Sequence, residues 1–133
     1  MNPDLRGLIG IPFKNGGRDR SGADCWGLVM ITFQEFGVTV PDFKISCFDT
    51  DVINSQVDIE RQDWRPVRIP EVPCLVVMRI DPNLPMACNH LGVYVGSGRF
   101  IHTLKKQNSV MERINHPYYQ RKIEGFYVFS PRQ

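Results

Sequence analysis

Ser21-Gly22-Ala23-Asp24-Cys25-Trp26-Gly27-Leu28-Val29 is the stretch from which the rest of the chain is read. Cys25, Leu28, Val29, Thr32, Phe33 and Phe36 recur at i, i+3, i+4, i+7, i+8 and i+11. That spacing traces one face of a 3.6-residue helix. Asp24 stands just ahead of it, a residue type that caps free helix N–H groups. Gly37 and Pro41 follow it, one suited to a left-handed cap and the other unable to continue a helix. Trp26, Met30 and Ile31 lie off the stripe and are also apolar, which predicts burial on more than one side.

This register puts a thiol in the first turn of a buried helix. The positive end of the helix dipole favours a thiolate there. First-turn amides lack helical acceptors and suit a developing oxyanion. A nucleophilic cysteine fits these conditions, but so does a core cysteine, since free Cys is among the most buried residue types. The preceding loop, Gly16-Gly17-Arg18-Asp19-Arg20-Ser21-Gly22, is rich in glycine and polar side chains, and suggests an open approach to Cys25.

A length of 133 residues suits one domain spanning 1–133. With 42% hydrophobic and 11% aromatic residues the chain can build a real core. A net charge of +2 and no basic run beyond Lys105-Lys106 give no nucleic-acid footprint. No apolar run approaches the ~20 residues of a membrane span. Met1 to Arg6 does not read as a signal peptide. Cys25, Cys47, Cys74 and Cys88 show no C-x-x-C spacing, so reduced thiols are expected.

Asn2-Pro3-Asp4 reads as a helix start, with Leu5, Leu8 and Ile9 as its apolar face and Gly10 as its end. Val52, Ile53, Gln56, Val57 and Glu60 suggest a short helix after Thr50. Trp64, Pro66, Pro70 and Pro73 suggest an extended segment on the outside, with Trp64 as a core anchor. From Cys74 the period changes to that of strands. Residues 74–80, 90–95, 99–104, 109–114 and 125–129 read as strands, and 117–122 as a loop or short helix. Helices first and an antiparallel meander afterwards indicate an α+β fold.

In the strand from His90, residues His90, Gly92 and Tyr94 share a face. A three-residue hairpin loop, Gly96-Ser97-Gly98, pairs Val95 with Arg99 and Gly92 with His102. His90 and His102 then become diagonal neighbours on one face, about 7–8 Å apart at the backbone. A two- or four-residue loop would separate them. Gly92, having no side chain, is expected to admit the end of the Cys25 helix. One imidazole then reaches the thiol while the other orients it, as a nucleophile, base and orienter require. Each histidine also fits as a satisfied, partly buried residue, and His116 is assigned to that class or to the surface. A zinc site of Cys88, His90 and His102 lacks the usual ligand spacing. No metal and no cofactor are expected.

Taken in order, Gly10-Ile-Pro-Phe-Lys-Asn-Gly-Gly17, Asp24-Cys25-Trp26-Gly27-Leu28-Val29, His90-Leu-Gly-Val-Tyr-Val-Gly96 and Gly98-Arg-Phe-Ile-His102 resemble the NlpC/P60 cysteine peptidases. The resemblance spans roughly residues 5–104, and the strand at 125–129 fits the family's closing strand. It implies a papain-like fold in which the nucleophile helix packs on an antiparallel sheet. It implies Cys25 as nucleophile, with its amide in the oxyanion site, His90 as base and His102 as orienting residue. Phe13, Asp24 and Trp26 become the substrate-binding positions. Phe13 stands where many members have Tyr, Trp26 where many have Ser, and Pro73-Cys74 where Gly-Asp is common. Trp after the nucleophile resembles the branch found in phage and prophage tails.

The implied activity is hydrolysis of amide bonds in peptidoglycan stem peptides, near a γ-D-glutamyl bond to a diamino acid. The implied partners are that peptide and other tail proteins, with no nucleic acid and no membrane. Synthesis in the bacterial cytoplasm and residence in a virion tail are the matching locations, and wall targeting would come from a larger assembly or a longer parent chain. The alternatives are a non-enzymatic structural subunit of a tail that keeps the fold, and a hydrolase or acyltransferase acting on another amide or ester.

Overall fold

A computed structural model describes residues 3–42, 64–79, 90–104 and 107–130. Its elements are a 3-10 turn at Arg6–Leu8, β1 (Arg18–Asp19), β2 (Gly22–Ala23), α1 (Cys25–Glu35), β3 (Trp64–Val67), β4 (Cys74–Met78), β5 (His90–Gly96), β6 (Arg99–His102), β7 (Val110–Arg113), α2 (Pro117–Gln120) and β8 (Ile123–Phe129). The expected helix after Thr50 lies outside the described residues, as do Cys47 and Cys88. No helix among the described residues is long and apolar enough to cross a membrane.

The helix at Cys25 forms as its pattern requires. Asp24 caps it by accepting from the Gly27 amide at 2.9 Å. At the far end Gly37 takes φ +80°. Its amide donates to Gln34 O and that of Val38 to Phe33 O, which satisfies two of the carbonyls that the last turn leaves over. Cys25 to Val29, Ile31, Thr32 and Phe33 are buried, so the helix is enclosed on several sides as its composition implies.

The helix expected at Asn2-Pro3-Asp4 shrinks to one 3-10 turn. Gly10 at φ +85° breaks it, and the chain turns away to meet Ser109. Ser109 Oγ accepts from the Ile11 amide at 2.8 Å and donates to Leu8 O at 2.6 Å. Gly10 N also donates to Ser109 O, and Ser109 N to Ile11 O. Leu8 stays buried, while Ile9 is turned out and 41% exposed.

The six-stranded sheet is antiparallel with order β3-β8-β4-β5-β6-β7. Only β4 to β7 form the expected meander. The last strand returns and inserts between β3 and β4. Trp64 anchors the core as expected, but from within the sheet rather than from an outer segment. Its ring meets Phe129 at 4.9 Å, Phe33 at 5.6 Å and Trp26 at 6.4 Å between centroids.

The hairpin reaches its expected register by another route. Gly96, not Val95, pairs with Arg99, so the loop has two residues, Ser97 and Gly98. Both take positive φ, 56° and 73°, as a tight hairpin of this length favours. A two-residue loop alone would place the histidines on opposite faces. A bulge at Val95 adds one residue to β5 and restores the Gly92 to His102 pairing. Two cores result. Leu91, Val93 and Ile101 pack with Trp26, Leu28, Val29 and Phe33 of α1, while Val76, Met78 and Phe100 pack with Tyr119 of α2 on the other face.

Gly27 explains how the loop before Cys25 sits on the helix. A Cβ there would collide with the Gly17 carbonyl and crowd Ala23. Helix propensity alone favours Ala over Gly by about 1 kcal/mol. The collision outweighs that gain, since overpacking typically costs about 1–3 kcal/mol. Gly27→Ala is therefore expected to lower stability in urea unfolding, and a stabilised variant would show that the loop does not dock here.

Candidate active site

The head of α1 is organised by one buried carboxylate. Asp24 is fully buried and both its oxygens are engaged. Oδ1 accepts from the Gly27 amide at 2.9 Å and from Arg18 Nη1 at 2.7 Å, and Oδ2 accepts from the Gly16 amide at 2.9 Å. Arg18 also meets Asp42 at 3.0 Å. Burial works against the Arg18 charge, but its bonds to Asp24 and Asp42 outweigh that and hold its pKa above the ordinary value. The loop at 16–22 is thus no open approach. It folds as the β1–β2 hairpin, and Arg18 ties it to the helix cap.

Cys25, directly after this cap, is 2% exposed. Trp26 is equally buried, and its Nε1 donates to Pro41 O at 3.0 Å. Phe13 is half-buried and its backbone bridges to Ala23, next to Asp24. The structure therefore gathers Phe13, Asp24, Cys25 and Trp26 around one helix end. Asp24 and Trp26 have their polar atoms committed to the fold there, and Phe13 keeps exposed surface.

The two histidines meet. His90 Nε2 and His102 Nδ1 lie 2.8 Å apart, and the rings are edge-on at 72° with centroids 5.0 Å apart. Both residues are on the face of β5 and β6 that carries Phe100, whereas the body of α1 packs on the opposite face, against Leu91, Val93 and Ile101. His90 is the first residue of β5, at the end of the sheet. Gly92 does not admit the helix end, as its lack of a side chain had suggested. A Cβ there would lie 2.9 Å from Ile101 O, 3.1 Å from Phe100 Cδ2 and 3.2 Å from His102 Cβ. Its bareness makes room for Phe100 and His102 instead. His116 is exposed and caps α2 by accepting from the Tyr118 amide at 3.0 Å, and its ring lies 5.4 Å from that of Tyr119.

Burial sets the electrostatics of the pair. His90 and His102 are 3% and 0% exposed. Loss of hydration, followed by the nearby His102, pushes His90 well below the ordinary histidine value. Loss of hydration alone brings His102 from 6.5 down to about 4. Both imidazoles are therefore neutral at pH 7, each with one ring nitrogen unprotonated. Cys74, in β4, is buried and its thiol is pushed up to about 12, chiefly by desolvation. It stays protonated and inert. Two surface cavities, of about 390 Å³ beside Arg20 and Gln34 and about 480 Å³ beside Arg99, Arg113 and His116, include neither His90 nor His102.

Two contributors escaped the sequence reading. Arg18 carries no local signal, since its partner Asp24 is met only after the β1–β2 turn. Tyr119, whose ring centroid lies 4.9 Å from that of His102, comes from a segment read only as loop or short helix.

The lowered histidine values fix a pH dependence. Above about 6.5 neither the folded nor the unfolded chain binds a proton at His102, and its contribution to stability is fully present. Between 6.5 and about 4 the unfolded chain takes up a proton that the folded chain refuses, so stability falls as pH falls through that window. The loss from His102 is on the order of 3 kcal/mol. Melting temperatures from pH 7 to pH 4 should fall more steeply for the wild type than for His102→Gln. Parallel slopes would contradict the buried neutral state.

A sequence model of the NlpC/P60 family matches residues 10–128. The murein DD-endopeptidase MepS/murein LD-carboxypeptidase of Escherichia coli K12 is 25% identical over 114 residues, 85% of this chain and 53% of that protein. The gamma-DL-glutamyl hydrolase of Bacillus subtilis 168 is 25% identical over 124 residues, 92% of this chain and 27% of that protein. The chain thus spans about half of one relative and about a quarter of the other. Among solved structures, an NlpC/P60 family protein from Bacillus cereus ATCC 10987 superposes with a TM-score of 0.64 at 18% identity, covering 98% of this chain and 42% of that one. The chain belongs to the NlpC/P60 family, and its antiparallel sheet packed under the Cys25 helix is that family's α+β, papain-like fold.

Proposed function

We propose that this domain is a cysteine peptidase that hydrolyses amide bonds in peptidoglycan stem peptides, with Cys25 as nucleophile, His90 as base and His102 as the residue that orients His90. The observation that carries it is the 2.8 Å contact between His90 Nε2 and His102 Nδ1 in a sheet that packs on the Cys25 helix. That contact occupies Nε2 and leaves Nδ1 of His90 for the thiol proton. The reading requires the His90 ring, on the first residue of β5, to meet the thiol around the end of the sheet.

In the reaction the Cys25 thiol gives its proton to His90 Nδ1 and its sulfur attacks the amide carbonyl. The Cys25 amide, at the positive end of α1, donates to the oxyanion. His90 then protonates the leaving amine, and a thioester remains on Cys25. Water, deprotonated by His90, attacks the thioester and releases the acid and the thiol. Asp24 and Trp26 shape the site by fixing the helix head. Phe13 offers the surface against which substrate lies, without the hydroxyl that Tyr would add there.

The name of one relative, a murein endopeptidase, supports a wall peptide as the target, and that of the other, a gamma-DL-glutamyl hydrolase, supports a γ-glutamyl bond; the diamino acid on its far side rests on the family resemblance. Trp26 after the nucleophile supports placing the domain in a phage or prophage tail, among other tail proteins. The near-complete burial of Cys25 and His90 favours a second reading, a tail subunit that keeps the fold with its site closed.

Purified stem peptides incubated with the protein and analysed by mass spectrometry separate the two. Cleavage is expected with the wild type and none with Cys25→Ala. His90→Ala should lose activity by about 10³-fold or more and His102→Ala less, while His116→Ala should match the wild type. No cleavage by a folded wild type would favour the structural subunit, and an essential His116 would overturn the assigned roles. Brief iodoacetamide treatment followed by peptide mapping should label Cys25 before Cys74. Equal labelling would count against a reactive thiol at position 25.

A further inference from the structure

His102 has two ring nitrogens, and the catalytic pair accounts for one. Nδ1 meets His90 Nε2 at 2.8 Å. Nε2 is buried and has no hydrogen-bond partner among the described residues. Buried polar atoms are rarely left so, and each exception calls for a cause. The ring is enclosed by two aromatics. Phe100 lies 4.8 Å away at a tilt of 41°, and Tyr119 lies 4.9 Å away, close to perpendicular at 82°. Tyr119 is 8% exposed, and a second edge contact with Phe100, at 5.6 Å and 82°, holds it in place.

We propose that Tyr119 is a positioning residue: the face of its ring receives the Nε2–H of His102 and so fixes the tautomer of the histidine pair. The consequence for hydrolysis rests on the peptidase reading above, but the tautomer itself does not.

A neutral imidazole carries one N–H and one lone pair, so the contact between the rings has two settings. In the first, His102 holds its proton on Nε2 and its Nδ1 accepts from the Nε2–H of His90. The lone pair of His90 is then on Nδ1, where a thiol proton can be received. In the second, His102 Nδ1–H donates to His90 Nε2. The proton of His90 then occupies Nδ1, and the ring cannot act as a base toward the thiol. The second setting also points a bare Nε2 lone pair at its aromatic surroundings. The negative face of an aromatic ring attracts an N–H and repels a lone pair. A perpendicular tyrosine therefore selects the first setting without any polar partner. Water would accept or donate equally well, and would leave both settings open.

Long-range ¹H–¹⁵N correlation on ¹⁵N-labelled wild type at pH 7 reads the tautomer directly. His102 is expected wholly as the Nε2–H form, with that proton shifted upfield by the tyrosine ring current. Tyr119→Phe keeps the ring face and should keep both the tautomer and the cleavage rate. Tyr119→Leu should give mixed tautomers and a loss of about twofold in kcat at unchanged KM, as the productive form falls to about half of the population. Wild-type His102 in the Nδ1–H form, or pure Nε2–H in the Leu variant, would overturn the proposal. If Tyr119→Leu does not fold, the wild-type and Phe spectra still decide it. Should the expected tautomer appear in a protein that cuts no peptide, the peptidase reading fails and the role of Tyr119 in the pair stands.

Discussion

The buried carboxylate of Asp24 is the constraint on which the head of the molecule depends. A carboxylate with no exposure is tolerable only if its lone pairs are satisfied. Here two backbone amides and one guanidinium do so. Each of these bonds fixes a different piece. The Gly27 amide sets the start of the helix, the Gly16 amide sets the preceding turn, and Arg18 sets the β1–β2 hairpin. The position of Cys25 follows, because it is the first residue of the helix, directly after the cap. Removing one partner of such a buried pair is costly.

The histidine pair solves the opposite problem. It is buried with no opposite charge beside it among the described residues, so its members stay neutral and bond to each other. Dryness keeps the pair unprotonated at neutral pH and makes it a liability in acid. The same dryness makes the direction of the shared proton matter. In water either ring nitrogen finds a partner at little cost. Inside the Phe100 and Tyr119 enclosure only one setting is compatible with the surroundings.

The geometry of the pair depends on a single extra residue. Side chains in a strand alternate, so one step of register moves every group to the other face. The tight Ser97-Gly98 turn and the bulge at Val95 each shift the parity, and together they cancel. Gly92 completes the arrangement by leaving space for the two side chains opposite it.

Local physics made much of this legible in the sequence. The Cys25 helix was readable because its apolar period, its cap and its terminating glycine agree with one another. The strand at 74 was readable as an apolar run and those at 90 and 99 from alternation, and the histidines shared a face because parity over a hairpin is simple arithmetic. The rest needed tertiary structure, since it rests on contacts between residues far apart in the chain. The insertion of β8 between β3 and β4 leaves no local trace. A bulge is invisible in composition, so the right register was reached through the wrong loop. The loop before Cys25 looked open because polar and glycine-rich segments usually face solvent, and only the fold places Arg18 against Asp24. The N-terminal helix failed for the same reason, since Ser109, about a hundred residues away, captures the backbone after a single turn. Sequence determined which residue types recur at which period, because residue type and period are local. Tertiary structure decided how dry their surroundings are and which nitrogen meets which, because burial and orientation belong to the packed chain.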